Sequence, residues 1–105
     1  MGKQDGADLE VKNNTGKNRF EVTLDGGIAV AEYRREGNGI VFTHTEVPES
    51  MEGKGVAKAL VTSALDFARS EKLEVTPQCS FVSGYIKRHP EYLDIVAADY
   101  RQRLT

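Results

Sequence analysis

The hydrophobic pattern of this chain changes its period once, and that change constrains the fold more than any other feature of the sequence. Between residues 19 and 47 apolar and polar side chains largely alternate, as in strands whose two faces differ. From Val56 to Ala68 apolar side chains instead recur every three or four residues, which is the period of an amphipathic helix. The change predicts a sheet that is built first and a helix that packs on it afterwards.

The part before the change predicts strands separated by turn sequences. The predicted strands cover residues 9–12, 19–24, 28–35 and 40–47. Residues 13–16, Asp25-Gly26 and Gly37-Asn38-Gly39 are typical turn sequences, so these strands should form an antiparallel meander. In the last of these strands, strict alternation places Ile40, Phe42, His44 and Glu46 on one side. Residues 1–8 are polar and are expected to form a flexible N-terminus.

The part after the change predicts a crossover. A helix over residues 54–71 is followed by a short strand over residues 73–76, which Pro77 ends. A second helix is predicted over residues 81–88 and should stop before His89-Pro90. Residues 91–105 offer apolar anchors without a decisive period. We therefore expect an α/β fold in one domain, residues 9–105, whose mixed sheet combines an antiparallel meander, a strand–helix–strand crossover with parallel strands and a short C-terminal helix.

Composition excludes several classes of function. A net charge of −2 provides no basic field for nucleic acid, and no apolar run is long enough to span a membrane. The single cysteine, Cys79, has no partner for an internal disulfide, which favours a reducing, cytoplasmic location. At 105 residues, the chain is long enough for one domain with a core.

The start of the predicted long helix is poorly capped. Gly53, Lys54 and Gly55 stand where Ser, Thr, Asp or Asn would usually cap the free amide groups. Lys54 and Lys58 also place positive charge in the first turns, against the helix dipole. A bound phosphate or pyrophosphate would explain both features. Alternatively, the glycines only allow a tight turn, and Ser50 or Glu52 caps the helix.

The predicted topology collects polar residues at one edge. Ligands of open sheets with crossovers bind beyond the carboxyl ends of the parallel strands. His44 near the end of one strand, the glycine loop and Cys79 after the next strand should therefore lie close together.

Four sequence blocks strengthen this interpretation. They keep one order and spacing between residues 44 and 92, and read His44-Thr45-Glu46-Val47-Pro48, Gly53-Lys54-Gly55, Pro77-Gln78-Cys79-Ser80-Phe81-Val82, and Tyr85-Ile86 with Arg88-His89-Pro90-Glu91-Tyr92. Together they resemble the minimal, single-domain branch of the GNAT N-acetyltransferase superfamily. In that superfamily's pyrophosphate motif, Gln or Arg usually occupies the position of Ser50. The early helices of full-length members are absent here, so the acceptor site does not carry over.

The resemblance implies a GNAT-like fold that binds acetyl-coenzyme A. Backbone amides of the glycine loop would hold the pyrophosphate, and Glu46 and Val47 would pair with the pantetheine arm. The expected cofactor-binding residues are Glu46, Val47, Met51, Glu52, Gly53, Lys54, Gly55, Val56, Ala57, Lys58, Ser80, Tyr85 and Arg88. No metal is implied. The acceptor amine and the oligomeric state have no signature in the sequence.

Each candidate for the chemistry has a second interpretation. His44 is a possible base or a half-buried structural histidine, and Glu46 is a possible base or a solvated strand end. Tyr85 is a possible general acid, as in many GNAT enzymes, or a core residue with a satisfied hydroxyl. Cys79 is a possible nucleophile or an inert, buried side chain. Arg88 would bind phosphate or would simply end a helix at the surface.

The leading hypothesis is an acetyl-coenzyme A-dependent N-acetyltransferase. A non-catalytic module that binds or senses acyl-coenzyme A is the alternative, and a small structural domain with a simple glycine turn is a third. Binding of the cofactor separates the third from the other two, and acetyl transfer to an amine separates the first from the second.

Overall fold

The structure, a computed structural model, describes residues 9–24 and 26–104, which form one five-stranded sheet with helices. The strands are β1 (Lys12–Asn14), β2 (Arg19–Leu24), β3 (Gly27–Glu36), β4 (Gly39–Glu46) and β5 (Glu74–Pro77). The α-helices are α1 (Val56–Ser70), α2 (Ser80–Arg88) and α3 (Ala98–Leu104), and Glu49–Met51 and Pro90–Ile95 form 3₁₀ turns. The predicted flexible N-terminus and Asp25 of the first hairpin lie outside the described residues. None of the helices described is long and apolar enough to cross a membrane.

Strand order in the sheet follows the sequence, β1-β2-β3-β4-β5. The first four strands pair antiparallel, and β4 and β5 pair in parallel from Gly39↔Glu74 to Phe42↔Pro77. The mixed α/β sheet, with a meander followed by a crossover through α1, is therefore confirmed.

The predicted bounds of the first and last strands were wrong. The first strand is Lys12–Asn14 rather than residues 9–12, because Asn13 and Asn14 pair with Phe20 and Arg19 instead of forming the predicted turn. The last strand extends to Pro77, which stands opposite Phe42 at the end of the ladder. Proline is tolerated there because the lost amide falls where pairing stops.

The core lies between α1 and one face of the sheet. The helix buries an apolar stripe of Val56, Leu60, Val61, Ala64, Leu65 and Ala68. On the sheet, the rings of Phe20 and Tyr33 are 5.5 Å apart, and those of Tyr33 and Phe42 are 6.3 Å apart. Burial of each large apolar side chain contributes about 1.5–3 kcal/mol, so this layer fixes α1 on the sheet.

The C-terminal segment covers the outer edge of β5. Val96 forms a parallel bridge with Val75, and the Ala97 amide donates a 2.8 Å hydrogen bond to the Val75 carbonyl. Arg69 of α1 donates to both carboxylate oxygens of Asp94, at 2.6 and 3.0 Å. Neighbouring contacts therefore order a segment that has no clear period of its own.

A register shift between β3 and β4 reverses which side chains face the core. Tyr33 stands opposite Phe42, but the next residue back, Glu32, stands opposite His44, so Thr43 is an extra residue. Such a bulge bends the strand and shifts the alternation of side chains by one position. His44 and Glu46 therefore lie on the face away from α1, and the prediction that they share a side with Ile40 and Phe42 was wrong. Thr45, opposite the buried Ala31, takes the core side instead.

Candidate functional site

The loop between β4 and α1 is held by one buried side chain and two left-handed glycines. Met51 is fully buried, which anchors the middle of the loop in the core. Gly53 and Gly55 have φ angles of 81° and 76°, a region that side chains with a Cβ rarely adopt. These angles explain why α1 begins at Val56 rather than at residue 54.

The amide groups at the start of α1 have no side-chain cap. Gly55 is the N-cap residue, and within the described residues neither Ser50 nor Glu52 makes a side-chain hydrogen bond to it or to the first turn. The alternative in which one of these residues caps the helix was therefore wrong. Uncapped amides and the positive end of the helix dipole together favour an anion at this position.

A cleft of about 360 Å³ opens beside these amides. Its walls come from the end of β4, the loop, the first turn of α1 and the first turn of α2. The lining residues are Thr45, Val47, Met51, Glu52, Gly53, Gly55, Val56, Ala57, Lys58 and Phe81. Eight of these ten were among the expected cofactor-binding residues, whereas Thr45 and Phe81 were not. The sequence signal for Phe81 was an aromatic residue in the first turn of a predicted helix. In the structure its side chain is 37% exposed.

Strands β4 and β5 separate next to this cleft. Their pairing ends at Phe42↔Pro77, and the Cys79 amide makes one further 2.9 Å hydrogen bond to the Phe42 carbonyl. Strand β4 continues to Glu46, and in the described chain this last part pairs only with β3. An extended ligand could therefore add to the free edge of β4 through main-chain hydrogen bonds.

Cys79 is joined to the cleft through Thr45. It precedes the first residue of α2, is partly buried, and its thiol donates a 3.3 Å hydrogen bond to Thr45 Oγ1. Cys79 itself does not line the cleft, while Thr45 does. Cys79 therefore lies near the end of β4, as expected, but the residue of β4 that it contacts is Thr45.

His44 and Glu46 lie on the other face of the sheet. Their side chains are 56% and 73% exposed, and His44 Nε2 is 3.4 Å from Glu46 Oε1. His44 is therefore about half exposed with its ring beside a carboxylate, an arrangement that fits both interpretations, a base and a structural histidine. Glu32, opposite His44, places a second carboxyl group on this face.

Tyr85 turns away from the cleft. Its side chain is 6% exposed, its hydroxyl lies 3.1 Å from Thr62 Oγ1 of α1, and its ring stacks on His89 at 4.2 Å. This geometry fits the core-packing interpretation with a satisfied hydroxyl. Three further expected residues, Lys54, Ser80 and Arg88, are exposed and do not line the cleft.

Comparisons with known proteins agree with this architecture. The sequence pattern of the GCN5-related N-acetyl-transferase family matches residues 19–95. The chain is 35% identical over 96 residues to Protein NATD1 of Gallus gallus, covering 87% of each. It is 34% identical over 91 residues to Protein NATD1 of Danio rerio, covering 82% of this chain and 83% of the relative.

One solved structure is also similar. It is the NMR solution structure of a GCN5-like candidate N-acetyltransferase from Staphylococcus aureus. The TM-score is 0.68 at 30% sequence identity, and the match covers 87% of this chain and 90% of that one. The similarity therefore extends over most of both chains.

Proposed function

The chain belongs to the GCN5-related N-acetyltransferase family, and from that premise we propose that it transfers the acetyl group of acetyl-coenzyme A to an amine. The observation that carries the proposal is the uncapped start of α1 beside a cleft that reaches the free edge of β4. A ligand that is both an anion and an extended chain fits this pair of features, and coenzyme A has both parts.

The cleft would hold the two parts of the cofactor in different ways. Amides of Gly53 to Ala57 would bind the pyrophosphate through the uncapped helix start, and Lys58 lines the cleft with a compensating positive charge. The pantetheine arm would pair with the free edge of β4 near Thr45 and Val47, as an added strand does. Binding would therefore depend on backbone groups, which explains why Ser50 can replace a long polar side chain.

The exposed face of β4 would accept the amine. A protonated amine must lose a proton before its nitrogen can attack the thioester carbonyl. Glu46 and His44 lie on this face, and Glu32 lies opposite His44. The carboxylates of Glu46 and Glu32 would attract a cationic amine, and Glu46 or His44 would take its proton. The nitrogen then forms the bond to the carbonyl carbon and gives up a second proton to solvent. The carbon–sulfur bond to coenzyme A breaks, and the departing thiolate takes up a proton.

A matched pair of glycine variants tests cofactor binding. Gly53→Ala and Gly37→Ala both place a Cβ at a positive φ, 81° and 58°, with nothing within 4 Å. Both substitutions therefore place a side chain at a positive φ without a steric clash, but of the two positions only Gly53 lines the cleft. We expect saturating acetyl-coenzyme A to raise the melting temperature of the wild type and of Gly37→Ala, and to raise that of Gly53→Ala much less.

Mass spectrometry of an amine panel tests transfer. Peptides with free amino groups and polyamines, incubated with wild type and acetyl-coenzyme A, should yield at least one acetylated product. No thermal shift at saturating cofactor would contradict cofactor binding itself. A shift without any acetylated amine would instead favour a non-catalytic module that binds acyl-coenzyme A.

A further inference from the structure

Resting on the proposed transfer, we infer that Thr45 is a catalytic residue that protonates the departing thiolate of coenzyme A and takes its replacement proton from Cys79. Thr45 was not among the residues that the sequence suggested. Of the hydrogen-bonded pair Thr45 and Cys79, Thr45 is the residue that lines the cleft.

The bulge in the sheet places Thr45 in this position. Without the extra residue at Thr43, strict alternation would turn Thr45 outward and His44 inward. With it, Thr45 stands opposite the buried Ala31 and lines the cleft beside Val47. The hydroxyl therefore lies on the part of β4 that no longer pairs with β5, where the acyl end of an extended cofactor would lie.

The hydrogen bond leaves the Thr45 proton available. A threonine hydroxyl donates one hydrogen bond and accepts up to two. Thr45 Oγ1 accepts from the Cys79 thiol at 3.3 Å, and within residues 9–24 and 26–104 no atom accepts a hydrogen bond from Thr45 in return. Its own proton can therefore be donated to a group in the cleft.

Tyr85, the acid that the sequence suggested, is less well placed. Its hydroxyl pairs with Thr62 in the middle of α1, and the side chain is 6% exposed. Neither Tyr85 nor Thr62 lines the cleft. A proton from Tyr85 would have to leave a buried pair, whereas Thr45 is already at the cleft wall.

The proton balance of this step is complete. As the carbon–sulfur bond breaks, the coenzyme A sulfur takes the Thr45 hydroxyl proton, and Thr45 takes the Cys79 thiol proton. Cys79 is left as a thiolate and regains a proton from solvent. Solvent receives both protons that the protonated amine gives up, the first through Glu46 or His44 before attack and the second from the nitrogen after it. The exchange moves a proton from one thiol to the thiolate of another, so the acid consumed and the acid formed are of the same chemical class. The acetyl group is never attached to Cys79.

A nearly isosteric substitution tests Thr45 directly. Thr45→Val keeps the shape and removes the hydroxyl, so we expect kcat to fall by about 100-fold while the acetyl-coenzyme A KM and thermal shift stay unchanged. Thr45→Ser should restore most of kcat. Thr23→Val, the same change at an exposed position of β2 away from the cleft, should leave kcat unchanged.

Cys79 variants and isotopic solvent test the proton supply. Cys79→Ser keeps a donor and should retain more activity than Cys79→Ala, and neither should be as slow as Thr45→Val. Wild type should show a solvent deuterium isotope effect on kcat that is reduced in Thr45→Val. Melting temperatures without cofactor check that each variant folds.

The outcomes separate this inference from the proposed function. Wild type that binds acetyl-coenzyme A but transfers to no amine contradicts the transfer and this inference together. Active wild type with an equally active Thr45→Val contradicts only the role of Thr45. Acetyl found on Cys79 by mass spectrometry, with an inactive Cys79→Ala, also overturns it in favour of a covalent path.

Discussion

Tyr92 links the 3₁₀ turn after α2 to helix α1. Its hydroxyl donates a 3.2 Å hydrogen bond to Asp66, and the Arg69 guanidinium lies 5.6 Å from the centre of its ring. Burial, together with the nearby Asp66 carboxylate, raises the pKa of Tyr92 to about 12. The proton on Tyr92 is therefore held more tightly in the folded chain than in the unfolded one.

This shift predicts a loss of stability at alkaline pH. An unfolded tyrosine ionises near pH 10, whereas folded Tyr92 keeps its proton until about pH 12. Between these values the folded state binds more protons, so the free energy of unfolding falls as pH rises. Urea unfolding measured from pH 9 to 12 should show that the free energy of unfolding falls less with pH for Tyr92→Phe than for wild type. Parallel curves would contradict the assignment.

At the scale of single residues, the sequence identified the glycine loop but did not predict on which face of β4 His44 and Thr45 lie. Glycines before a helix without a cap are a local signal, so Gly53 and Gly55 could be identified directly. The side on which His44 and Thr45 lie depends on a bulge created by pairing with another strand. No local pattern encodes that shift, and the alternation rule therefore assigned His44 to the wrong face.

Helix α1 is preceded by a glycine that its backbone shape requires, Gly55, whereas the glycine inside α2, Gly84, is not required by backbone shape. Gly55 has φ 76°, but Gly84 has a helical backbone, and a Cβ there would lie 3.8 Å from Arg88, an ordinary contact. Gly55→Ala should therefore lower the free energy of unfolding by about 1–2 kcal/mol. Gly84→Ala should raise it by about 0.5–1 kcal/mol. Denaturant titration of both variants measures the change in the free energy of unfolding. Changes of the same sign in the two variants would contradict this interpretation.

At the scale of elements, the regular parts were predictable because each carries its own period. Strand β2 was found at its observed ends, and β3, β4, α1 and α2 within two residues of theirs. The segment after Arg88 was not, since its order comes from Val96 and Ala97 bonding to Val75 and from the Arg69–Asp94 pair. These contacts join residues far apart in sequence, so hydrophobic periodicity contains no trace of them.

At the scale of the whole molecule, the Arg69–Asp94 pair ties the main helix to the segment that covers the sheet edge. Hydrogen bonds from Arg69 hold the pKa of Asp94 below its ordinary value, so the pair stabilises the fold above the pKa of an unfolded aspartate, about 3.9. That stability is lost as pH falls through the lower folded value. Both side chains are substantially exposed, at 43% and 61%, so solvent screens the pair and its effect on stability is small.

The corresponding variant is Asp94→Asn. It should unfold slightly more easily than wild type at pH 7, and the difference should shrink as pH falls below about 4. Thermal unfolding from pH 2.5 to 7 measures this convergence. A difference that persists unchanged at the lowest pH would show that packing, rather than charge, connects the two residues.

The strand order β1-β2-β3-β4-β5 also has a consequence for how the chain is made. Strands β2, β3 and β4 each pair with the strand synthesised immediately before them, so the meander can assemble from short-range contacts as it emerges. Strand β5 must wait for the whole of α1 before it reaches β4. The two strands whose separation opens the cleft are thus the last to meet, and the nascent chain completes its sheet before it can hold a cofactor.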